Sequence, residues 1–288
     1  MADAGMILAP LRGVTIKCFR EVFAEVICEC GFTEAFTPFI SAMPGLSPLC
    51  DRELSDASRA GNIALTPQFI GKDPQALRRC LTEIREAGYE TADLNCGCPF
   101  PMVRNKGRGS GMLKTPELLR KMLEVGVEVM GEGKFSLKAR IGVDRRDELL
   151  EIMPVVNEFP LRFLTVHGRL AKQMYEGTCD TEMVDEIERV SAVPVVRNGD
   201  LDWREGCGMV GRSFIRYLGE REDIGDLLSS YIEASRLELH GERPVLGRMK
   251  ELIAYWKDLP QWRRRWQSVK ISRNLDELRS SAMARLQA

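Results

Sequence analysis

The sequence predicts an α/β fold, a (β/α)8 TIM barrel carrying a small C-terminal helical domain. Three observations predict it. Short apolar runs alternate with helix-periodic stretches from Met6 to Leu237, giving eight strand-helix units. Polar or reactive residues fall at or near the ends of those runs: Gln68, Cys98, Lys138, His167, Asn198 and Gly211-Arg212. Parallel barrels build their sites from loops at the strands' C-terminal ends, often with a phosphate site after strands 7 and 8. The alternation then stops near Leu239, and the rest reads as helix. A chain of 288 residues holds one barrel of about 250 residues plus an appendage. The boundaries read as 1–238 for the barrel and 239–288 for the helical domain.

Met6 to Pro10 is a short apolar strand ended by Pro10-Leu11-Arg12-Gly13. Thr15 is placed to cap the next helix, whose Phe19, Val22, Phe23 and Val26 share a face. Phe32 to Phe36 is a second strand. Pro38 to Gly61, rich in Pro, Ser and Gly, reads as a long loop with one short helix. Ile63 to Ile70 is a third strand, with Gln68 near its end. Asp73-Pro74 opens a helix with Leu77, Cys80, Leu81 and Ile84 in helical period, closed by Gly88. The fourth strand leads into Cys98. Pro116 to Met130 and Glu148 to Val156 are helical, with a fifth strand from Phe135 to Ile141 between them. Leu161 to His167 is the sixth strand, Met183 to Val190 a helix, and Val193 to Arg197 the seventh strand.

Only twelve residues separate Asn198 from Gly211. That is too few for a helix and a strand of ordinary size, since helices average about 11 residues. The barrel is therefore expected to be abbreviated between strands 7 and 8. Its helix there should shrink to a turn at Trp203-Arg204-Glu205-Gly206, and its closure should be incomplete. Met209-Val210 is the eighth strand, and Ile224 to Leu237 is helical. Beyond it, Val245 to Trp256 and Trp262 to Leu286 read as two helices joined at Leu259-Pro260. Trp256, Trp262 and Trp266 are expected to be their packing core.

Composition narrows the class. The 44% hydrophobic and 29% charged fractions are those of a soluble globular chain. The net charge of −1 is unevenly spread. Residues 240–288 hold eleven Lys and Arg against five acids, so this tail is +6 and the rest −7. Such asymmetry suits an anionic partner at the C-terminal end. The apolar piece from Met6 to Leu11 is too short for a secretory signal or a membrane span. Nine irregularly spaced cysteines read as reduced thiols in a cytoplasm. Cys28-Glu29-Cys30 and Cys96-Gly97-Cys98 lack zinc-knuckle spacing, and only His167 and His240 are histidines, so no metal site is expected. A monomer is expected.

The chemistry centres on Ala92-Asp93-Leu94-Asn95-Cys96-Gly97-Cys98-Pro99. Gly97 and Pro99 turn the chain, which separates the two thiols and presents Cys98 at a strand end. The glycine-rich Gly107-Arg108-Gly109-Ser110-Gly111 follows as a cover. If the ligand is a flavin mononucleotide, Asn198-Gly199-Asp200 and Gly211-Arg212 supply N–H groups and a cation for its phosphate. The Gln68 amide then suits the pyrimidine edge of the ring, and Lys138 the charge on its reduced form. A thiol with an ordinary pKa near ~8.5 is mostly protonated at neutral pH, so Cys98 can donate a proton.

These residues resemble the tRNA-dihydrouridine synthase family. The matching pieces, in order, are Ala9-Pro10-Leu11-Arg12-Gly13-Val14-Thr15 with Phe19-Arg20, Gln68-Phe69-Ile70-Gly71 with Asp73-Pro74, and Asp93-Leu94-Asn95-Cys96-Gly97-Cys98-Pro99. Gly109-Ser110-Gly111-Met112-Leu113, Lys138-Ala139-Arg140-Ile141-Gly142 and Val166-His167-Gly168-Arg169 follow. Asn198-Gly199-Asp200-Leu201 and Met209-Val210-Gly211-Arg212 complete the set. The Cys96 form of the central motif resembles the bacterial branch that modifies U16. The resemblance implies an FMN-binding barrel, NADPH as reductant, tRNA as partner and a helical domain that helps hold the tRNA. It implies that Cys98 protonates C5 of a uridine in the D-loop after hydride reaches C6 from the flavin N5. Asn95, Arg140 and Gln173 would hold the uracil. Pro10, Leu11, Arg12, Gln68, Lys138, His167, Asn198, Gly199, Asp200, Gly211 and Arg212 would contact FMN. An extruded base and a phosphate-binding +6 tail fit such a substrate.

Leu11 stands where Met is common in that family and Ile16 where an acid is usual, and the 198–211 segment is short. Two other readings stand beside the first. One is a degenerate member acting as a non-catalytic RNA-binding protein. The other is an FMN barrel oxidoreductase acting on a small pyrimidine, against which the basic helical tail counts.

Overall fold

A computed structural model describes residues 5–54 and 63–283. The expected loop end at Gly61, the helix end at Leu286 and Arg285 of the basic tail lie outside the described residues. Ten parallel strand segments form one sheet. They are β1 (Met6–Leu8), β2 (Phe32–Phe36), β3 (Ile40–Ser41), β4 (Ala64–Thr66), β5 (Gln68–Ile70), β6 (Ala92–Cys96), β7 (Phe135–Gly142), β8 (Leu164–Leu170), β9 (Val195–Asn198) and β10 (Met209–Val210).

These ten segments are eight barrel strands. Proline has no N–H for a ladder, and Pro38 and Pro67 each interrupt a strand that then resumes. Thus β2 and β3 are two parts of one strand, as are β4 and β5. Side-chain and carbonyl groups bridge the breaks: Thr37 Oγ1 accepts from Gln68 N at 3.0 Å, and Pro67 O accepts from Asp93 N at 3.0 Å. Because β4 pairs with β2 while β5 pairs with β6, the sheet closes on itself. On the other side β10 pairs with both β9 and β1. The abbreviation between Asn198 and Gly211 is present, with a single 3-10 turn at Trp203–Glu205. The expected gap in the barrel is not. Two residues of β10 suffice, because Ile7 N also donates to Gly208 O at 2.9 Å and Ala9 N to Val210 O at 2.7 Å.

The helices are α1 (Lys17–Val22), α2 (Ala24–Glu29), α3 (Pro74–Glu86), α4 (Pro101–Arg104), α5 (Pro116–Met130), α6 (Glu148–Val156), α7 (Thr181–Val190), α8 (Arg212–Leu218), α9 (Ile224–Glu238), α10 (Glu242–Ile253), α11 (Pro260–Ile271) and α12 (Leu275–Met283). Asp73 caps α3 by accepting from Gln75 N and Ala76 N. Thr15 does not cap α1. Ile16 holds that position without a side-chain bond, and Thr15 Oγ1 instead donates to Ala9 O and accepts from Leu11 N at 2.7 Å. It thereby folds the first strand-helix loop over the barrel end. Between Pro38 and Leu54 the loop contains β3 and two 3-10 turns, Pro48–Cys50 and Arg52–Leu54.

Alternation divides each strand's side chains. On β6, Leu94 and Cys96 face the helices, and Asp93 and Asn95 face the barrel interior. The interior is divided too. Ile7, Ala9, Phe36, Phe163, Val196 and Met209 form an apolar half, with the Phe36 and Phe163 rings stacked at 6.2 Å. Buried Gln68, Asp93, Ser136, Lys138, Thr165 and His167 form a polar half.

Past Leu239 the chain is helical, as expected, but the second expected helix is broken at Ser272, giving α11 and α12. These helices share one hydrophobic cluster with α1, α8, α9 and the outer face of β1. Trp256 and Trp262 are buried in it with rings 4.8 Å apart, in keeping with the expected packing role. Their indole N–H groups donate to Ile215 O at 2.6 Å and Gly219 O at 2.8 Å, tying α10–α11 to α8. Replacing Trp256 by Ala opens this cluster and should cost about 3–5 kcal/mol. Urea unfolding followed by tryptophan fluorescence should show one shifted transition, rather than loss of the C-terminal helices alone.

Candidate active site

A cavity of about 470 Å³ opens at the C-terminal ends of the barrel strands. That size suits a cofactor-sized ligand, whose sites span roughly 300–1,000 Å³. Five cations line it, Arg12, Lys138, Arg140, Arg212 and Arg216, against Asp200 and Asp202. A net positive lining favours an anionic ligand.

The thiol is held by a chain of side-chain hydrogen bonds that starts beneath the cavity. Ser136 Oγ donates to Asp93 Oδ1 at 2.7 Å, and Gln68 Nε2 donates to Asp93 Oδ2 at 2.8 Å. A carboxylate only accepts, so it selects the NH2 end of Gln68 and turns its carbonyl toward Asn95. Asn95 Nδ2 donates to Gln68 Oε1 at 2.7 Å. That leaves Asn95 Oδ1 to accept from Gly97 N at 3.1 Å and Cys98 N at 2.9 Å. The turn carrying Cys98 is therefore oriented by Asp93, two amides away. Burial pushes the Asp93 carboxyl up to about 7. The Cys98 thiol lines the cavity, and burial pushes its pKa up, so it is protonated at neutral pH. Cys96, on the opposite face of the strand, is sealed against Met112.

Lys138 sits opposite Asn95 across the β6–β7 ladder and donates to Asn198 Oδ1 at 2.6 Å. Asn198 Nδ2 in turn donates to Met209 O at 2.7 Å, so one amide joins β7, β9 and β10. Burial and then the Arg140 charge lower Lys138 to about 8. Arg140 bridges the two loops at the mouth, donating from Nε to Gly97 O at 3.0 Å and from Nη1 to Leu170 O at 2.9 Å. Burial lowers its pKa to about 10, which leaves it charged. His167 is held well below its ordinary pKa by burial and by Lys138, and is neutral. Its Nε2 lies 3.3 Å from Arg169 Nη1. A guanidinium only donates, so Nε2 accepts and Nδ1 carries the proton.

Arg169 organises the far wall. Buried at the end of β8, it donates to Glu176 O, Gly177 O and the Asp200 carboxylate at 2.6 Å. Asp200 adopts φ 54, where a non-glycine residue is strained, and Cys179 N donates to its Oδ2 at 2.9 Å. Neighbouring Gly199 must be glycine: its φ is 96, and a Cβ there would lie 2.5 Å from the His167 ring and 2.6 Å from Cys179 Sγ. Met174, at φ 52, turns the chain so that Tyr175 lies at the cavity mouth. The Arg140 and Arg212 guanidinium groups sit 5.4 Å and 5.5 Å from the Tyr175 ring centre.

Of the expected site residues, Cys98, Asn95, Arg140, Pro10, Leu11, Arg12, Lys138, His167, Asn198, Gly199, Asp200, Gly211 and Arg212 all line this cavity. Gln68 and Gln173 are not among its lining residues. Gln68 is fully buried below, holding Asp93 and Asn95. Gln173 Oε1 accepts from Leu170 N at 2.7 Å, closing its own turn. Sequence reasoning missed Asp93, Arg169, Tyr175 and Arg216. Arg216 stood one helical turn beyond Arg212. Asp93 and Arg169 lay inside motifs already singled out.

Fold and cavity together define an α/β barrel with a cation-lined pocket beside a protonated thiol. Residues 7–208 match the family model described as Dihydrouridine synthase (Dus), and the chain belongs to that family. It is a flavin-dependent oxidoreductase. Relatives include the tRNA-dihydrouridine(16) synthases of Shigella flexneri and of Escherichia coli K12, each 28% identical. Each of these alignments covers 97% of this chain and 98% of the relative. The tRNA-dihydrouridine synthase B of Vibrio vulnificus is 27% identical over 68% of this chain and 60% of its own length. Among solved structures, a morphinone reductase mutant in complex with tetrahydroNAD superposes with a TM-score of 0.53 at 9% identity, covering 74% of this chain and 84% of its own. An old yellow enzyme homologue from Zymomonas mobilis does so with a TM-score of 0.53 at 12% identity, over 73% of this chain and 85% of its own. These two share the fold.

The hydrogen-bond chain below Cys98 predicts different outcomes for two changes at Asp93. Asp93→Asn keeps an oxygen toward Gln68 and an NH2 toward Ser136, so the amide order above it survives. Asp93→Leu takes the acceptor from Gln68 Nε2 and from Ser136 Oγ and should cost about 2–3 kcal/mol, with loss of turnover. Denaturant midpoints and activity of the two variants check this. Equal activity in both would remove Asp93 from control of the thiol.

Proposed function

We propose that this chain reduces the C5–C6 double bond of a uridine in the D-loop of tRNA, with FMN in the cavity and NADPH as reductant. The observation that carries the reading is the buried, protonated Cys98 facing a cavity whose other walls bear cations. The cavity residues fit a flavin phosphate. Gly199 and Gly211 bring bare backbone to the cavity edge, and a Cβ at Gly211 would lie 3.2 Å from Ala9 Cβ. Arg212 and Arg216 add charge beside them. Lys138 and His167 stand on the cavity floor as donors to the ring system, with Pro10, Leu11 and Arg12 along the opposite edge.

When bound, FMN supplies the hydride, delivered to C6 of the uracil. The chain supplies the rest. Cys98 gives its proton to C5, and the thiolate left behind gains from the nearby Arg12 and Arg140 charges. Arg140 and Asn95 border the same space and fix the uracil edge, while Tyr175 offers a ring face at the mouth. A uridine in folded tRNA must leave its stack to reach this depth. The basic C-terminal segment, 239–288, is assigned to the tRNA backbone. Position 16 is the assigned target, because the relatives named for it match nearly the full length of this chain. The closed barrel and the cavity-lining Asn198, Gly199, Gly211 and Arg212 weaken the case for a non-catalytic RNA-binding module, which rested on the short segment between them.

Four measurements test the reading. Purified protein should carry or bind FMN, seen as yellow absorbance, and tRNA from a deletion strain should lack dihydrouridine at position 16. Cys98→Ala should slow uridine reduction by about 10²–10⁴-fold while NADPH still reduces the bound flavin. Lys138 loses its proton as pH rises through about 8. FMN affinity should therefore fall above that pH, and flavin fluorescence titrations between pH 6.5 and 9.5 would read the change. A protein that never binds FMN ends this proposal.

A further inference from the structure

Many surface cations of this protein are paired. Arg78 meets Glu128, Arg145 meets Asp147 and Glu151, Arg197 meets Asp185 and Glu188, and Arg221 meets Asp223. One rim of the cavity departs from this. Residues 97–116, from the Cys98 turn to the start of α5, hold Arg104, Lys106, Arg108 and Lys114 and no acid. Lys114 is paired with Asp144 at 2.5 Å. Among the described residues, Arg104, Lys106 and Arg108 form no ion pair. Neither does Lys72, on the turn before α3, whose stem lies 4.0 Å from where a Gly107 Cβ would be.

This rim is rigid. Ser110 donates to Cys98 O from both its N, at 3.2 Å, and its Oγ, at 2.8 Å. A Cβ on Gly109 would lie 2.8 Å from Cys98 Cβ, and one on Gly111 would collide with Arg104 O. The backbone that carries Arg104, Lys106 and Arg108 is therefore fixed in relation to the thiol. With no ion-pair partner among the described residues, these cations suit an anion that arrives from outside. The location identifies that anion. In the barrel order, β6 lies across the mouth from β10 and β1, beside which the basic C-terminal helices pack. A nucleotide extruded into the cavity has a phosphate on each side of it. Cations on both lips of the mouth would hold those phosphates.

We propose that Lys72, Arg104, Lys106 and Arg108 form a second RNA-binding surface, which grips backbone phosphates on the lip opposite the C-terminal helices. This rests on the tRNA reading above. The test is the salt dependence of tRNA affinity and turnover for wild type, Lys72→Ala and the double variant Arg104→Ala/Lys106→Ala. Each lost phosphate contact should lower the slope of log affinity against log salt by roughly 0.7–0.9. KM for tRNA should rise, while kcat at saturating tRNA and NADPH oxidation without tRNA stay unchanged. Lys72 sits on a different turn from Cys98, so its variant reports even if the double variant misfolds. An unchanged slope in Lys72→Ala and in any folded double variant, with wild type active, overturns this surface and leaves the enzyme reading intact. A fall in kcat with an unchanged slope counts against it as well, since that marks a disturbed thiol turn. If wild type neither binds nor reduces tRNA, both readings fall together.

Discussion

A carboxyl sealed beneath the cavity, which only accepts while it is ionised, sets the orientation of the groups above it. An amide has two ends of similar shape, and a buried Gln or Asn can sit either way round unless a neighbour breaks the symmetry. Asp93 breaks it for Gln68, Gln68 breaks it for Asn95, and Asn95 then presents an oxygen to the N–H groups of Gly97 and Cys98. Reversal of Asn95 would face donor against donor at the thiol turn, and reversal of Gln68 would do so at Asn95. The same carboxylate is also part of the electrostatic balance above it. Its charge favours the protonated form of Lys138, opposing the burial and the Arg140 charge that lower that lysine's pKa. A carboxyl near neutrality and an ammonium near 8 share one interior, so each makes the other tolerable there.

The opposite wall follows the same pattern with a different residue. Arg169 has donors enough to hold two loop carbonyls and the Asp200 carboxylate at once, and it sets the tautomer of His167. Strain is concentrated where it is so restrained, at Met174 and Asp200. One strained residue aims Tyr175 and the other aims the backbone of Gly199. No single strand makes this site. Closure of the barrel brings the β6 turn to face the β8 and β9 loops, and the apolar half of the interior supplies the packing that a polar half cannot.

Which parts of this were readable in the sequence follows from locality. A strand-end residue is marked by the apolar run before it, so Cys98, Lys138, His167 and Asn198 could be placed without coordinates. Their mutual partners could not. Asp93 and Gln68 are 25 positions apart, and their bond exists because the β5–β6 ladder sets them side by side. Gln68 was expected at the ligand for its chemistry, but register puts it one layer below. Tyr175 depends on a left-handed Met174 and on guanidinium groups from β7 and from the start of α8, none of which leaves a local signature. Thr15 has the right type and place for a cap, yet Ala9 O and Leu11 N are nearer partners once the loop folds back. The twelve-residue count correctly implied a missing helix and wrongly implied a gap, since a barrel edge needs only enough residues to pair.

That missing helix changes what the C-terminal helices do. In its place Leu201 and Trp203 lie against the cluster that contains α8–α11, with the Trp203 ring on Tyr217 at 4.4 Å and Trp203 N donating to Ser213 Oγ. The segment before Gly211 is thus braced from outside by α8. In turn α8 is held at its carbonyl end by the indoles of Trp256 and Trp262. The support that a seventh barrel helix would give has passed to the C-terminal helices. Gly211 and Arg212, at the start of α8, take their position from that brace. The helices assigned to the RNA backbone therefore also hold one edge of the proposed flavin site, and a movement of one carries to the other through a single rigid element.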